Sequence, residues 1–386
     1  MRLDLSPEQE MVRDTARRFL EKEAPLSRIR AQFDQREGFS RAYWSQAAEL
    51  GWTILGIPED AGGFSPSGMP GQDLAIVSEE IGRLVGAGPF QPTSTCVLAL
   101  TDSENAVQRD ALLPGLISGE QIAGWAFGER MNIWTPERFS TRVTAGGQEL
   151  RLSGAKAYVE AGAEADVFIV TARGDNGLVQ MVVPRDARGL SVTPGRSVDF
   201  TRRFAELLFE NVRVPRSAVL YESTAAAAAV ERQLQLALLL QCAETNGAVE
   251  RCFEFTVDYM RQRYAFDRPI ASFQALKHRL ADTLLHIHSC MATTDAALEA
   301  FDACSPAAQR LARIAKAYVA DKATIIMGEL VQMTGGIAVT WDHDLHLYER
   351  RIAVNRAILG TPEHHQSAVL RLISEDRGND DAEPRH

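Results

Sequence analysis

The chain has 386 residues, of which 45% are apolar and 24% charged, so it is long enough for two or three packed sub-domains and ordinary for a globular protein. Its 41 basic and 51 acidic residues leave a net charge of −10, which argues against electrostatic capture of nucleic acid. No run of about 18 uncharged apolar residues occurs, and the opening MRLDLSPEQE lacks the basic and apolar regions of a secretion signal; a cytoplasmic protein without membrane or nucleic-acid partners is expected.

Residues 1–123 read as an N-terminal helical domain. Ser6-Pro7-Glu8-Gln9 is a capping box with proline in the first turn, and it opens an apolar run through Met11, Ala16, Phe19 and Leu20. The glycine- and proline-rich GWTILGIPEDAGG (51–63) reads as a loop, and 75–86 as a further helix. From 124 the period shortens. STRVTA, ELRLSG, DVFIVTA, LVQMVVP, LSVTP and AELLFENVRV alternate or run apolar for a few residues between Gly, Asn and Pro, as the strands of an antiparallel sheet do. This predicts a middle β-domain over 124–222. Beyond the alanine-rich 225–229, helical patterns at about 232–262, 274–302, 306–334 and 362–373 predict an antiparallel bundle over 223–373, followed by a polar, disordered tail at 374–386. The fold class is α+β, mainly α.

Few local motifs carry chemistry by themselves. His286 and His288 lie two residues apart on a predicted helix, where their side chains diverge, so no metal site is expected. Five cysteines, Cys96, Cys242, Cys252, Cys290 and Cys304, show no CxxC spacing and are expected to be buried thiols. Asp342, His343, Asp344 and His346 in TWDHDLHLYER suit a metal or an acid–base pair and equally suit local capping. Gly335-Gly336 reads either as a helix cap or as a place where a phosphate or ribose approaches the backbone. No GxGxxG after a strand, P-loop or GxSxG elbow is present.

The order of helices, β-domain and bundle carries five strings: GIPEDAGG (56–63), LSGAKAYVEAGAEADVFIVTAR (152–173), FENVRVP (209–215), RQRYAFDRPIASFQALKHRLAD (261–282) and QMTGGIAVTWDHDLHLYERR (332–351). Together they resemble the acyl-CoA dehydrogenase family of flavoproteins, up to about residue 373. The resemblance implies FAD between the β-domain and the bundle, and α,β-dehydrogenation of an acyl-CoA thioester. A carboxylate takes the α-proton while hydride passes to flavin N5, and electron-transfer flavoprotein or a similar acceptor takes the electrons. It assigns cofactor binding to Gly128, Glu129, Tyr158, Glu160, Arg263, Phe266, Gln274, Gln332, Gly335, Gly336 and Thr361. Arg263 would meet the pyrophosphate across a subunit boundary, as a planar guanidinium can, and Tyr158 would pack on the isoalloxazine.

The base is where the sequence departs from the resemblance. Leu359 stands before Gly360-Thr361, where the family commonly has glutamate, and Ala237 stands where a second branch carries its base. Glu244, two helical turns beyond Ala237, and Asp342 remain as candidates. Glu160 replaces a small hydroxyl residue, Gly128 a threonine, and Asp267 and Ala338 glycines. GGIAVTWDHDLHLY resembles subunits of heteromeric acyl-CoA dehydrogenases of steroid-catabolising bacteria, where two related chains form an α2β2 assembly. The first reading is an FAD-dependent dehydrogenase with a relocated base, acting on bulky or polycyclic acyl-CoA. The second is a catalytically incomplete subunit of a heteromer, and the third another flavin oxidase or monooxygenase. Assembly as a homotetramer or an α2β2 heterotetramer is expected.

Overall fold

In the computed structural model, which describes residues 5–31, 39–147 and 149–380, the chain's first helix starts at the capping box. Ser6 Oγ accepts the Gln9 N–H at 3.2 Å, and Gln9 Oε1 accepts the Ser6 N–H at 3.2 Å. This nucleates α1 (Pro7–Glu23), which buries Ala16 and Leu20. Helices α2 (Leu26–Ala31), α3 (Arg41–Glu49), α4 (Pro70–Leu84), α5 (Phe90–Thr101) and α6 (Ala106–Ile117) follow.

The middle region is one sheet of β1 (Ala123–Ala126), β2 (Arg142–Gly146), β3 (Glu149–Glu160), β4 (Val167–Gly174), β5 (Gly177–Pro184), β6 (Leu190–Pro194), β7 (Phe204–Pro215) and β8 (Val219–Glu222). The strands lie in the order β6-β7-β3-β2-β4-β5-β8, with β1 beside β4. The sheet is antiparallel except at β4, where β1 pairs parallel over four residues and β2 at Arg142 alone. Alternation reveals a strand but not its neighbour's direction; the hairpin between β1 and β4 gives the chain enough length for a parallel return.

The C-terminal region holds α7 (Ser223–Gln262), a tight hairpin of β9 (Tyr264–Ala265) and β10 (Arg268–Pro269), then α8 (Gln274–Asp302), α9 (Ala308–Thr334), α10 (Leu345–Ala357) and α11 (Pro362–Asp380). Three features differ from expectation. The alanine-rich 225–229 lies within α7, as the strongest helix former should. Helix α10 escapes a periodicity search because His346, Arg351 and Asn355 are buried on it beside Leu345, Leu347 and Tyr348. Helix α11 runs on to Asp380, past the boundary at 373, while the rest of the expected tail, 381–386, lies outside the described residues. Cys304 is exposed; the other four cysteines are buried as expected.

Helices α4 and α7 cross almost backbone to backbone. A Cβ on Gly82 would sit 1.8 Å from the Glu244 carbonyl oxygen, and one on Gly247 2.0 Å from that of Glu79. This crossing fixes the height of Glu244 in the core. Among the described residues no helix is long and apolar enough to cross a membrane, and no group of His, Cys, Asp and Glu suits a metal.

Candidate active site

A cleft of about 420 Å³, its open mouth included, lies where α5, the sheet and the bundle meet. A bulge in β3 between Lys156 and Val159 puts Tyr158 at φ +58° and breaks the alternation of side chains there. Tyr158 lines the cleft with Trp125, Phe127 and Trp134. The Trp134 and Tyr158 rings are 5.4 Å apart, and Trp125 stacks on Phe127 at 4.7 Å. Gly128 also lines the cleft, and a Cβ there would come within 2.3 Å of the Trp134 ring, so this indole accounts for glycine in place of threonine. Trp134 Nε1 is buried without a hydrogen-bond partner.

Glu129 turns away from the cleft. Its carboxylate accepts the Ser140 N–H at 2.6 Å, the Thr141 N–H at 3.0 Å and Lys156 Nζ at 3.1 Å. Burial opposes that charge, but Lys156 and the backbone donors outweigh it and hold the carboxyl down to about 2. Its own N–H is spent on the Ile133 carbonyl.

Both positions that the resemblance marks for a base are apolar and line the cleft: Ala237 on α7 and Leu359 after α10. Leu359 is held at φ +63°, a conformation costly for leucine. Side chains hold the flanking carbonyls there: Lys316 Nζ donates to the Ile358 carbonyl at 3.1 Å, and His365 Nε2 meets the Leu359 carbonyl at 3.0 Å.

Glu244 is bound into a buried charge network. Its Oε1 accepts from Arg351, and its Oε2 accepts from Gln91 Nε2 at 2.8 Å, Asn355 Nδ2 at 3.1 Å and Arg202 Nη1 at 3.3 Å. Arg351 also donates to Asp199. Arg202, only 4% exposed, grips Glu160 with Nε at 2.7 Å and with Nη2. Burial works against the charge on Arg202, yet Glu160 and Glu244 prevail and raise its pKa. Asp342 is exposed and does not line the cleft.

Beyond Phe127 and Trp134, which line both spaces, opens a larger cavity of about 1260 Å³ with its mouth. Arg138, Arg313, Arg371 and His364 line it, and Arg313 pairs with Glu231 at 2.6 Å. Burial and then Arg313, Arg371 and Arg138 hold the His364 pKa below its usual value, a sign of how closely the cations gather. Sequence reasoning missed these cations because they come from three distant segments. Thr361 marks the spot: its Oγ1 accepts the His364 N–H at 3.4 Å at the start of α11.

The remaining expected cofactor residues lie elsewhere. Arg263, Phe266, Gln274, Gln332, Gly335 and Gly336 are all exposed and line neither cavity. Phe266 and Asp267 form the turn of the β9–β10 hairpin, at φ +54° and +60°. Around Gly335 and Gly336 a Cβ would meet no atom within 4 Å, so this backbone is open to an approaching group.

The N-terminal domain of acyl-CoA dehydrogenases matches residues 6–120, and the C-terminal domain matches residues 227–373. The acyl-CoA dehydrogenase IpdE2 of Mycolicibacterium smegmatis is 30% identical over 93% of this chain and 96% of its own length. Mitochondrial isobutyryl-CoA dehydrogenase of Dictyostelium discoideum is 27% identical over 91% of this chain and 85% of its own. Butyryl-CoA dehydrogenase of Megasphaera elsdenii superposes with a TM-score of 0.89 at 21% identity, over 97% of this chain and 100% of its own. A steroid ACAD, Tcur3481-Tcur3483, does so at 0.86 and 26% identity, over 96% and 99%. The chain thus belongs to the acyl-CoA dehydrogenase family of oxidoreductases, and its fold neighbours include a steroid ACAD. Its family is one of FAD-binding flavoproteins.

The residues present fit FAD. A flat ring suits the aromatic walls and the unpaired indole N–H of Trp134, and phosphates suit the adjoining arginine-lined cavity.

Proposed function

We propose that this chain is an FAD-binding subunit of a heteromeric acyl-CoA dehydrogenase, in which turnover takes place on a related chain that carries its own carboxylate base. The observation that carries this reading is the wall of the cleft, where Leu359 and Ala237 offer only hydrocarbon. Glu244, the better placed of the two candidate bases, already has four polar partners, two of them buried arginines, against its carboxylate. A base must be free to take a proton within hydrogen-bond reach of it. The likeness to a steroid ACAD supports a bulky or polycyclic acyl-CoA as the substrate of the assembly.

FAD supplies hydride acceptance when bound. On this chain, Arg138, Arg313 and Arg371 would hold its phosphates, and Trp134 and Tyr158 its ring. Arg263, Phe266, Gln274, Gln332, Gly335 and Gly336, all at the surface, would clamp the adenosine end of a neighbouring subunit's cofactor in a tetramer. Electron-transfer flavoprotein or a similar acceptor would reoxidise the assembly in the cytoplasm.

The test is turnover of 3-phenylpropionyl-CoA by the purified chain, alone and co-purified with a related chain that has Glu before its Gly-Thr. Activity should appear only in the complex, together with flavin absorbance. Turnover by the chain alone would overturn the reading and return Glu244 to candidacy.

A further inference from the structure

The Glu160–Arg202 pair fills space as well as balancing charge. Both side chains line the cleft beside Gln91 and Leu359. All the nitrogens of the Arg202 guanidinium are engaged: Nε and Nη2 with Glu160, Nη2 also with Gln91 Oε1 at 3.3 Å, Nη1 with Asn355 Oδ1 and Glu244. No donor is left over for a thioester oxygen or a substrate carboxylate. Gln91 is partly committed too: its amide nitrogen donates one N–H to Glu244, and its oxygen accepts from Arg202 Nη2.

We infer that this ion pair is a plug: it closes the chain's own cleft to acyl thioesters, so that the chain lacks a substrate site as well as a base. The inference rests on the reading of the chain as a subunit without a base. Three observations carry it. First, the cleft measures about 420 Å³ with its mouth, near the low end of the roughly 300–1,000 Å³ typical of ligand sites, and the polycyclic acyl group competes for that room with the cofactor's ring. Second, the pair is anchored from every layer: Gln91 on α5, Glu160 on β3, and Glu244 and Asn355 on α7 and α10. Swinging Arg202 aside would strand the Glu160 carboxylate, 16% exposed, and take one cation from buried Glu244. Third, Arg202 and Glu160 fit each other as a bidentate fork, the geometry that makes an arginine–carboxylate pair most specific.

The experiment titrates the full-length chain with 3-phenylpropionyl-CoA, reading heat and the fluorescence of Trp125 and Trp134, which line the cleft. Wild type should show no saturable binding at millimolar probe. The double variant Glu160→Ala/Arg202→Ala removes one charge of each sign and leaves Glu244 its bonds to Arg351, Gln91 and Asn355; it should bind saturably, with a Kd at least ~10-fold below the highest probe concentration at which wild type shows none. A folded double variant that gains nothing overturns the plug. Should the double variant fail to melt cooperatively, wild type still decides. Saturable binding with tryptophan quenching overturns the plug, and its absence, together with no α-proton exchange by Leu359→Glu in deuterated buffer, upholds it. Binding by wild type without α-proton exchange defeats the plug alone, whereas exchange by wild type defeats the reading beneath it.

Discussion

Arg351 is wholly buried on α10 and binds Asp199, Glu244, the Thr201 hydroxyl and the Gly86 carbonyl. Burial works against its charge, and Asp199 with Glu244 more than restores it. Arg351→Met would leave two buried carboxylates short of a cation and should cost about 3–5 kcal/mol in urea unfolding. Adding Glu244→Gln should recover part of that loss, because the two sites share one bond. Lys316 gives a pH signature. Burial first, with Arg202 and Arg356 adding to it, brings its pKa down to about 7, against about 10.4 in an unfolded chain. The unfolded state therefore holds the extra proton between these values, and stability climbs with pH across that window; below pH 7 the whole cost of burying the ammonium is present. The melting temperature should rise from about pH 7 to 8.5, before cysteines titrate, and Lys316→Met should reduce that slope. At this scale Glu244 was legible as an acid on the inner face of a long helix. Its partners were not, because residues 91, 202, 351 and 355 are joined to it only by the fold.

Elements were read well where one face is apolar and poorly where it is not. The capping box set the start of α1, and alternation gave six of the eight sheet strands. Strands β1 and β8, four residues each, are too short to show a period, and α10 hides its core face behind buried histidine, arginine and asparagine. The α4–α7 crossing could not be read at all, since a glycine in a helix looks like a weak point until its neighbour is known. Gly82→Ala would force a methyl group to within 1.8 Å of a carbonyl oxygen. It should cost about 1–3 kcal/mol by overpacking, seen as a fall in the denaturant midpoint. Gly68→Ala, with no atom within 4 Å, lacks that clash and controls only for its own backbone strain at φ +71°.

On the proposed reading the whole molecule has two kinds of cofactor-facing surface: the cleft with its arginine-lined neighbour, and the exposed residues around Arg263. Phe266, at 89% exposure, with Val339 and Leu285, leaves apolar area uncovered in the single chain. Arg263→Ala should weaken flavin retention and assembly together, by about 1.5–3 kcal/mol for a lost charge-assisted bond, read as flavin absorbance ratio and sedimentation. The family order of the three regions was legible from motifs spread along the chain, because those motifs sit in local turns and strands. Arg138, Arg313 and Arg371 were not, since a cation on a helix face looks like any solvated one until three segments bring it to a single cavity. The most direct test of the account is α-proton exchange of 3-phenylpropionyl-CoA in deuterated buffer, by a purified complex whose related chain has its Glu before Gly-Thr changed to Gln. No deuterium should enter the acyl group, because this chain holds no free base. Exchange that persists in that complex would place the base here and contradict the account.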